Sequence, residues 1–93
     1  DIPQMTSLSL AGFRPNPAGS DANVAFTLPR RAPATLELID IAGRRVLSRE
    51  VGSLGPGSHV LRLDEAEKLP AGVYHLRLRQ SGTSIARRAV LVR

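Results

Sequence analysis

The stretch GVYHLRLRQSGTSIARRAVLV, residues 72–92, decides the fold class. Its first half alternates between apolar and polar side chains, which is typical of a strand with one buried face. The apolar phase comprises Tyr74, Leu76 and Leu78, and the polar phase comprises His75, Arg77 and Arg79. Ser81 and Gly82 are turn residues, and a returning strand is predicted from Ile85 to Val92, where residues 89–92 are all apolar. The stretch therefore predicts a β-hairpin whose second strand carries an arginine in either phase, Arg87 or Arg88.

Similar apolar runs recur upstream, separated by turn residues. Further strands are predicted at residues 7–10, 24–28, 34–41, 45–51 and 59–63. Residues 34–41 carry apolar side chains in both phases, so we expect this strand at the centre of a sheet. Residues 64–68 allow one helical turn before Pro70 and Gly72 stop it. Short strands at this spacing predict an all-β fold, an immunoglobulin-like antiparallel β-sandwich of about seven strands.

Length and composition bound the domain organisation. The 93 residues leave room for one domain, with residues 1–6 as the end of an upstream linker and residues 7–93 as the domain. The sequence has no cysteine and no tryptophan, which excludes disulfides and an antibody-type domain. It contains no apolar run of transmembrane length and no signal-peptide pattern, and it begins with Asp1. We interpret it as part of a longer protein.

The net charge of +5 is carried by arginine, since Lys68 is the only lysine among 13 basic residues. An arginine excess is compatible with nucleic-acid binding. The arginines are instead spread along the chain and often alternate with apolar residues, as Arg77 and Arg79 do, which places them on solvated strand faces. Aromatic residues are not interleaved with them, so we expect no nucleic-acid partner.

The turn at residues 40–44, DIAGR, is the most informative local motif. Asp40 at a strand end can accept hydrogen bonds from backbone N–H groups two or more residues on, and Gly43 can take the positive φ of a bulged hairpin turn. The same D-x-x-G string occurs in GTPases, but no phosphate-binding G-x-x-x-x-G-K-[ST] loop accompanies it here. We therefore predict a structural turn.

Patterns for catalysis and metal binding are weak. His59 and His75 are the only histidines, and Ser58 beside His59 lacks a motif that would position a nucleophile and a base. The acidic residues at 64, 65 and 67 lack the ligand spacing of a known calcium loop. The sequence thus predicts no enzyme, no catalytic or metal site and no cofactor.

Several segments, taken in order, resemble the C-terminal sorting domain of type IX secretion cargo and the related immunoglobulin-like domain of flagellar hook assembly proteins. These segments are PNPAG at 15–19, LELIDIAGRRV at 36–46, GSHVLRL at 57–63, LPAGVYHLRL at 69–78 and ARRAVLVR at 86–93. The flagellar-type relatives carry Trp-Asp-Gly where this chain has Leu63-Asp64-Glu65. The short link at 69–72 is also closer to the sorting-domain pattern, so sorting is favoured over hook assembly.

The resemblance implies a non-catalytic module of a larger secreted protein, which acts as a type IX sorting signal. The protein would pass through the periplasm of a Gram-negative-type bacterium, be recognised by outer-membrane secretion machinery and end at the cell surface or outside. Its cargo would be an upstream catalytic or binding domain of the same chain, and a rigid Pro-Asn-Pro segment would join the upstream linker to the first strand. Motif or recognition residues carried over from the family are Asn16, Pro17, Asp40, Gly43, Arg44, Gly72, Tyr74, Arg87, Arg88 and Arg93.

An accessory β-sandwich module of a secreted glycoside hydrolase is the alternative, either carbohydrate-binding or a structural spacer. Sugar rings are usually gripped by exposed aromatic faces, and Phe13, Phe26 and Tyr74 are the only aromatic residues. Two of them, Phe26 and Tyr74, fall in buried phases. Polysaccharide binding through arginine and Asn or Asp side chains remains open, and a spacer needs only a stable sandwich.

Overall fold

The structure of the protein, a computed structural model, describes residues 7–14 and 22–92. Within these residues seven strands form two antiparallel sheets, which confirms the predicted β-sandwich. The strands are β1 (Ser9–Arg14), β2 (Asn23–Leu28), β3 (Ala34–Asp40), β4 (Arg45–Glu50), β5 (Gly57–Arg62), β6 (Gly72–Gln80) and β7 (Thr83–Leu91). Short 3-10 helices at Gly52–Leu54 and Asp64–Lys68 flank β5.

The chain crosses between the sheets three times in the part that the structure describes. One sheet has the order β1-β2-β5 and the other β4-β3-β6-β7, so the crossings follow β2, β4 and β5. Such exchange of strands between two packed sheets is the immunoglobulin-like arrangement. Strand β3 lies between β4 and β6, as expected from its apolar residues in both phases.

The core lies between the two sheets and is built by the predicted alternation. In β2 every second residue is buried, and in β3 and β6 the inward side chains at the middle of each strand are leucines. Removing each of these side chains from water contributes about 1.5–3 kcal/mol. The fully buried apolar side chains include Val24, Leu28, Leu36, Leu38, Leu76 and Leu78.

The sequence predicts a strand at residues 7–10, whereas β1 covers Ser9–Arg14. The apolar alternation stops after Leu10 because the strand contains a β-bulge there. Leu10 pairs with Phe26 and Gly12 with Ala25, so Ala11 is the extra residue. Gly12 has φ +95°, a conformation that glycine adopts readily. Leu10 and Phe13 therefore both reach the core, although three positions apart, and the strand continues to Arg14.

The strand order corrects the role expected for the Pro-Asn-Pro segment. Strand β1 precedes residue 15 and pairs with β2, so this segment joins two strands of one sheet and does not lead into the first strand. Ile41 also differs from its predicted place in a strand: it lies in the turn after β3, and its side chain is 79% exposed.

The hairpin of β6 and β7 forms as predicted. Ser81 and Gly82 both have positive φ, 52° and 81°, which suits the twist of a two-residue hairpin turn. Strand β7 starts at Thr83, two residues before the predicted position, and buries Ala89 and Leu91. The ambiguous phase is thereby resolved, since Arg88 lies in the outward phase opposite His75.

Candidate functional site

The outer face of the four-stranded sheet gathers arginines that are distant in sequence. Arg77 and Arg79 lie two positions apart on β6, so their side chains share one face. Arg88 lies on the neighbouring β7, and Arg45 lies at the start of β4. All four belong to the outward phase of their strands. We call this set, Arg45, Arg77, Arg79 and Arg88, the basic face.

A buried carboxylate lies at the centre of the basic face. Glu37 on β3 is in the outward phase, yet its exposed fraction is 0%, because arginine side chains cover it. Arg77 donates from Nε to Oε1 at 2.8 Å, and Arg45 donates from Nη1 to Oε2 at 3.1 Å. The Nε of Arg79 lies 3.9 Å from Oε1. One carboxylate therefore holds three guanidinium groups together.

Arg45 reaches Glu37 because β4 contains a bulge. Leu38 pairs with Leu47 and Ile39 with Arg45, so Val46 is the extra residue. Without it, Arg45 would share the inward phase of Leu47, since side chains alternate along a strand. The bulge turns Arg45 to the outer face.

Glu37 stays ionised in this setting. Burial alone raises the pKa of a carboxyl group, but hydrogen bonds from Arg77 and Arg45, together with the charges of Arg77 and Arg79, outweigh it. The net result is a pKa of Glu37 below its ordinary value. The face therefore keeps its negative centre at neutral pH.

The turn after β3 has the geometry predicted for Asp40 and Gly43. Asp40 Oδ1 accepts hydrogen bonds from the N–H groups of Ala42 (3.0 Å) and Arg44 (2.9 Å), and Oδ2 accepts one from the Arg44 guanidinium at 3.0 Å. The backbone and side-chain donors of Arg44 lower the pKa of Asp40. Gly43 has φ +86°. The turn is thus a fixed structure that presents the exposed side chain of Arg44.

Tyr74 and Gly72 shape the start of the hairpin. Tyr74 is buried, and its hydroxyl donates a 2.6 Å hydrogen bond to the carbonyl of Pro70, four residues upstream. This resembles the tyrosine corner of immunoglobulin-like sandwiches. Gly72 pairs with Leu91 at the end of β7. Tyr74 therefore fixes the chain that enters the hairpin, and Gly72 pairs the start of β6 with the end of β7.

The two central arginines of β7 have different surroundings. Arg87 donates from Nε to the carbonyl of Leu10 at 3.0 Å and so contacts the other sheet. Arg88 is exposed on the basic face. Asn16, Pro17 and Arg93 lie outside the described residues.

The other candidates from the sequence have structural surroundings. His59 Nε2 lies 2.7 Å from the carbonyl oxygen of Gly55, and its ring packs at a tilt against Phe26; His75 is exposed on β6. Residues 7–14 and 22–92 contain no cluster of three His, Cys, Asp or Glu side chains that could hold a metal ion. In the same ranges no helix is long and apolar enough to cross a membrane.

The acidic residues after β5 form ion pairs. Asp64 and Glu67 both contact Arg62, at 2.9 and 3.5 Å, and Glu65 contacts Arg49 at 2.8 Å. The three aromatic residues of the sequence are all buried, so no aromatic ring is exposed for stacking on a sugar. The accessory-module alternative gains no support from the surface.

Sequence comparison decides the family. The family of secretion system C-terminal sorting domains matches residues 13–92, which takes in the end of β1 and all of β2 to β7. The chain belongs to this family. No curated protein is significantly similar to the sorting domain in sequence.

Family membership gives the sorting domain its function. It is a C-terminal type IX secretion signal of a larger secreted protein, which is exported to the cell surface or outside by a Gram-negative-type pathway. The domain itself is a non-catalytic module that interacts with the type IX machinery.

The arrangement around Glu37 was not predicted from the sequence. Two features of the sequence hint at it. Glu37 is an acidic residue in the outward phase of a central strand, and Arg77 and Arg79 lie on β6, the strand after the second 3-10 helix. These signals become informative only with the register, which places Glu37 opposite Arg77.

Proposed function

We propose that outer-membrane components of the export machinery recognise this sorting domain as a folded unit, with β7 at the centre of the recognised surface. The place of β7 in the fold supports this. It pairs with β6 from Thr83 to Leu91, and it contributes Ala89 and Leu91 to the core. A recognised surface that includes β7 therefore forms only when the sandwich has folded.

The motif residues would divide into two roles under this proposal. Arg44 and Arg88 are exposed and would contact the machinery directly. Asp40, Tyr74 and Arg87 make hydrogen bonds inside the domain and would hold the recognised surface in place. Gly43 and Gly72 would join this second group, and Asn16, Pro17 and Arg93 are proposed as further parts of the surface from the family resemblance.

The cargo would be a catalytic or binding domain upstream in the same protein. Residues 1–6 would end the linker that separates it from the sorting domain. The export machinery would therefore recognise the sorting domain without contacting the cargo fold. The whole protein would cross the periplasm before recognition. Charge complementarity between an arginine-rich domain and an acidic receptor would speed their encounter.

Fusion of an unrelated folded reporter ahead of residues 1–93 tests the proposal. We expect the reporter outside cells of a type IX competent host and inside cells of an export-deficient strain. A reporter fused to Arg44→Gln/Arg88→Gln should be exported less, whereas Arg30→Gln/Arg31→Gln removes the same charge from another exposed segment and should be exported normally. Retention of a stable, folded wild-type fusion in both strains would contradict the proposal.

A further inference from the structure

We infer that the basic face is a docking surface for a carboxylate-rich protein segment, whose Asp and Glu side chains pair with the guanidinium groups of Arg45, Arg77, Arg79 and Arg88. This inference deepens the proposed function and rests on it, because the acidic segment would belong to the export machinery. It concerns the face of the sheet and not the final residues of the chain.

Three of the four guanidinium groups, those of Arg45, Arg77 and Arg79, are held by Glu37 before any partner arrives. Glu37 engages Nε of Arg77 and Nη1 of Arg45, and it lies 3.9 Å from Nε of Arg79. A guanidinium has five N–H donors, so each arginine retains several for an outside carboxylate. Fixed planar donors lose less side-chain entropy on binding and match a carboxylate in two parallel hydrogen bonds.

The charges on this face do not cancel. Arg45, Arg77 and Arg79 surround the carboxylate of Glu37, and Arg88 lies in the outward phase of β7, so four arginines face two carboxylates, Glu37 and Glu50. Glu50, at the edge of the sheet, directs Oε2 to the N–H groups of Ala34 (3.0 Å) and Gly52 (3.1 Å). The excess of positive charge is therefore available to an acidic partner.

The surface around the arginines allows close approach. A shallow depression of about 450 Å³ lies beside Arg77 and Arg79, and Thr35 and Ser84 also line it. Ser48 lies opposite Glu37 on β4. Small polar neighbours leave room for the side chains of a partner and offer it hydroxyl groups.

A protein partner fits this face better than a lipid surface. Binding to a membrane interface depends on buried apolar area as well as on charge. In the described chain none of the exposed large apolar side chains belongs to a strand of the four-stranded sheet: Ile41 lies in a turn, Leu54 in a 3-10 helix, Val60 on the opposite sheet and Val92 beyond the end of β7.

The test titrates the domain with a synthetic peptide of alternating glutamate and glycine, and with the same peptide carrying glutamine, while backbone amide shifts are recorded. We expect the glutamate peptide alone to bind, to shift amides of β3, β4, β6 and β7, and to bind less tightly as salt is raised. Arg79→Gln/Arg88→Gln keeps both hydrogen bonds to Glu37 and should weaken binding about three- to tenfold. Arg30→Gln/Arg31→Gln should leave it within about twofold.

Glu37→Gln separates an organised site from simple charge attraction. The variant increases the positive charge of the face but loosens the guanidinium groups, so we expect weaker binding. Tighter binding by Glu37→Gln, an equal loss in the Arg30→Gln/Arg31→Gln control, or binding of phosphatidylglycerol vesicles in place of the peptide would overturn the inference.

Reporter export distinguishes this inference from the proposed function. Reduced export of the Arg79→Gln/Arg88→Gln fusion, with normal export of the wild-type fusion, is expected. Equal export of the two fusions would overturn the docking surface alone, whereas no export of the wild-type fusion would overturn the proposed function.

Discussion

Arg87 and Leu10 join the two sheets of the sandwich across 77 positions of sequence. The Nε of Arg87 donates a 3.0 Å hydrogen bond to the carbonyl of Leu10. Leu10 lies on β1 and Arg87 on β7, and each strand is the edge of its sheet. Unpaired strand edges are sites of misassociation, and this bond occupies one edge carbonyl of β1 with a charged side chain from the edge of the other sheet.

Replacing Arg87 by alanine should lower the free energy of unfolding by about 1 kcal/mol, because the Leu10 carbonyl loses a charged donor at a partly buried position. Urea denaturation at neutral pH measures this change. Arg88→Ala is the matched control, since Arg88 is also exposed and lies at the next position of the same strand but does not donate to the Leu10 carbonyl; its effect should stay within about 0.5 kcal/mol. Equal effects of the two substitutions would show that the Arg87 bond does not stabilise the sheet edge.

Local alternation was enough to predict most of the fold. It placed Val24, Phe26 and Leu28 on one buried face, and Leu76 and Leu78 on another, because a sheet covered on one side alternates with period two. It gave no indication of the bulges at Ala11 and Val46. A bulge adds one residue to one strand only, and local alternation does not reveal the pairing partner that defines it.

Glu37→Gln should lower the free energy of unfolding by about 2 kcal/mol at neutral pH, because it removes the charged acceptor of two arginine hydrogen bonds. The pKa of Glu37 is lower in the folded state, so its contribution is complete above the pKa of the unfolded chain, about 4.3. It is lost as the pH falls through the folded pKa. The stability gap between wild type and variant should therefore be constant from about pH 5 to 7 and narrow at lower pH.

Urea denaturation from acid to neutral pH tests this dependence. Glu65→Gln is the control, because Glu65 forms a solvent-exposed ion pair with Arg49, and its effect should be below about 1 kcal/mol. A gap between wild type and Glu37→Gln that widens as the pH falls would contradict the assignment of a lowered pKa.

Gly43→Ala should destabilise the domain by about 1 kcal/mol. No atom lies within 4 Å of a Cβ built on Gly43, so the cost comes from its φ of +86° and not from a steric clash. Ala42→Ser, at the preceding exposed position, should change the free energy of unfolding by less than about 0.5 kcal/mol. Thermal and urea denaturation give both values, and an unchanged stability of Gly43→Ala would argue against a rigid turn.

The candidate site was less accessible to sequence reasoning than the fold. Asp40 and Gly43 act within five residues, so their hydrogen bonds and conformation could be predicted from local chemistry. Glu37 depends on Arg45 and Arg77, which the register of two different strand pairs brings together. No local pattern specifies such a three-strand contact.

Deletion of residues 89–93 should abolish the cooperative unfolding transition as well as export. It removes the buried side chains of Ala89 and Leu91 and the pairing partners of Gly72 and Tyr74. Burial of Leu91 alone contributes about 1.5–3 kcal/mol, a large share of the 5–15 kcal/mol typical of a domain. Deletion of Arg93 alone leaves these residues in place and should preserve folding.

Circular dichroism during urea denaturation, measured beside reporter export, separates folding from recognition in these truncations. A folded Arg93 deletion with reduced export would show that Arg93 contributes to the address, whereas normal export would confine the address to residues up to Val92. If the deletion of residues 89–93 remained folded and exported the reporter as efficiently as the wild-type domain, the end of β7 would be neither part of the core nor part of the address. That result would require the recognised surface to lie elsewhere on the sandwich.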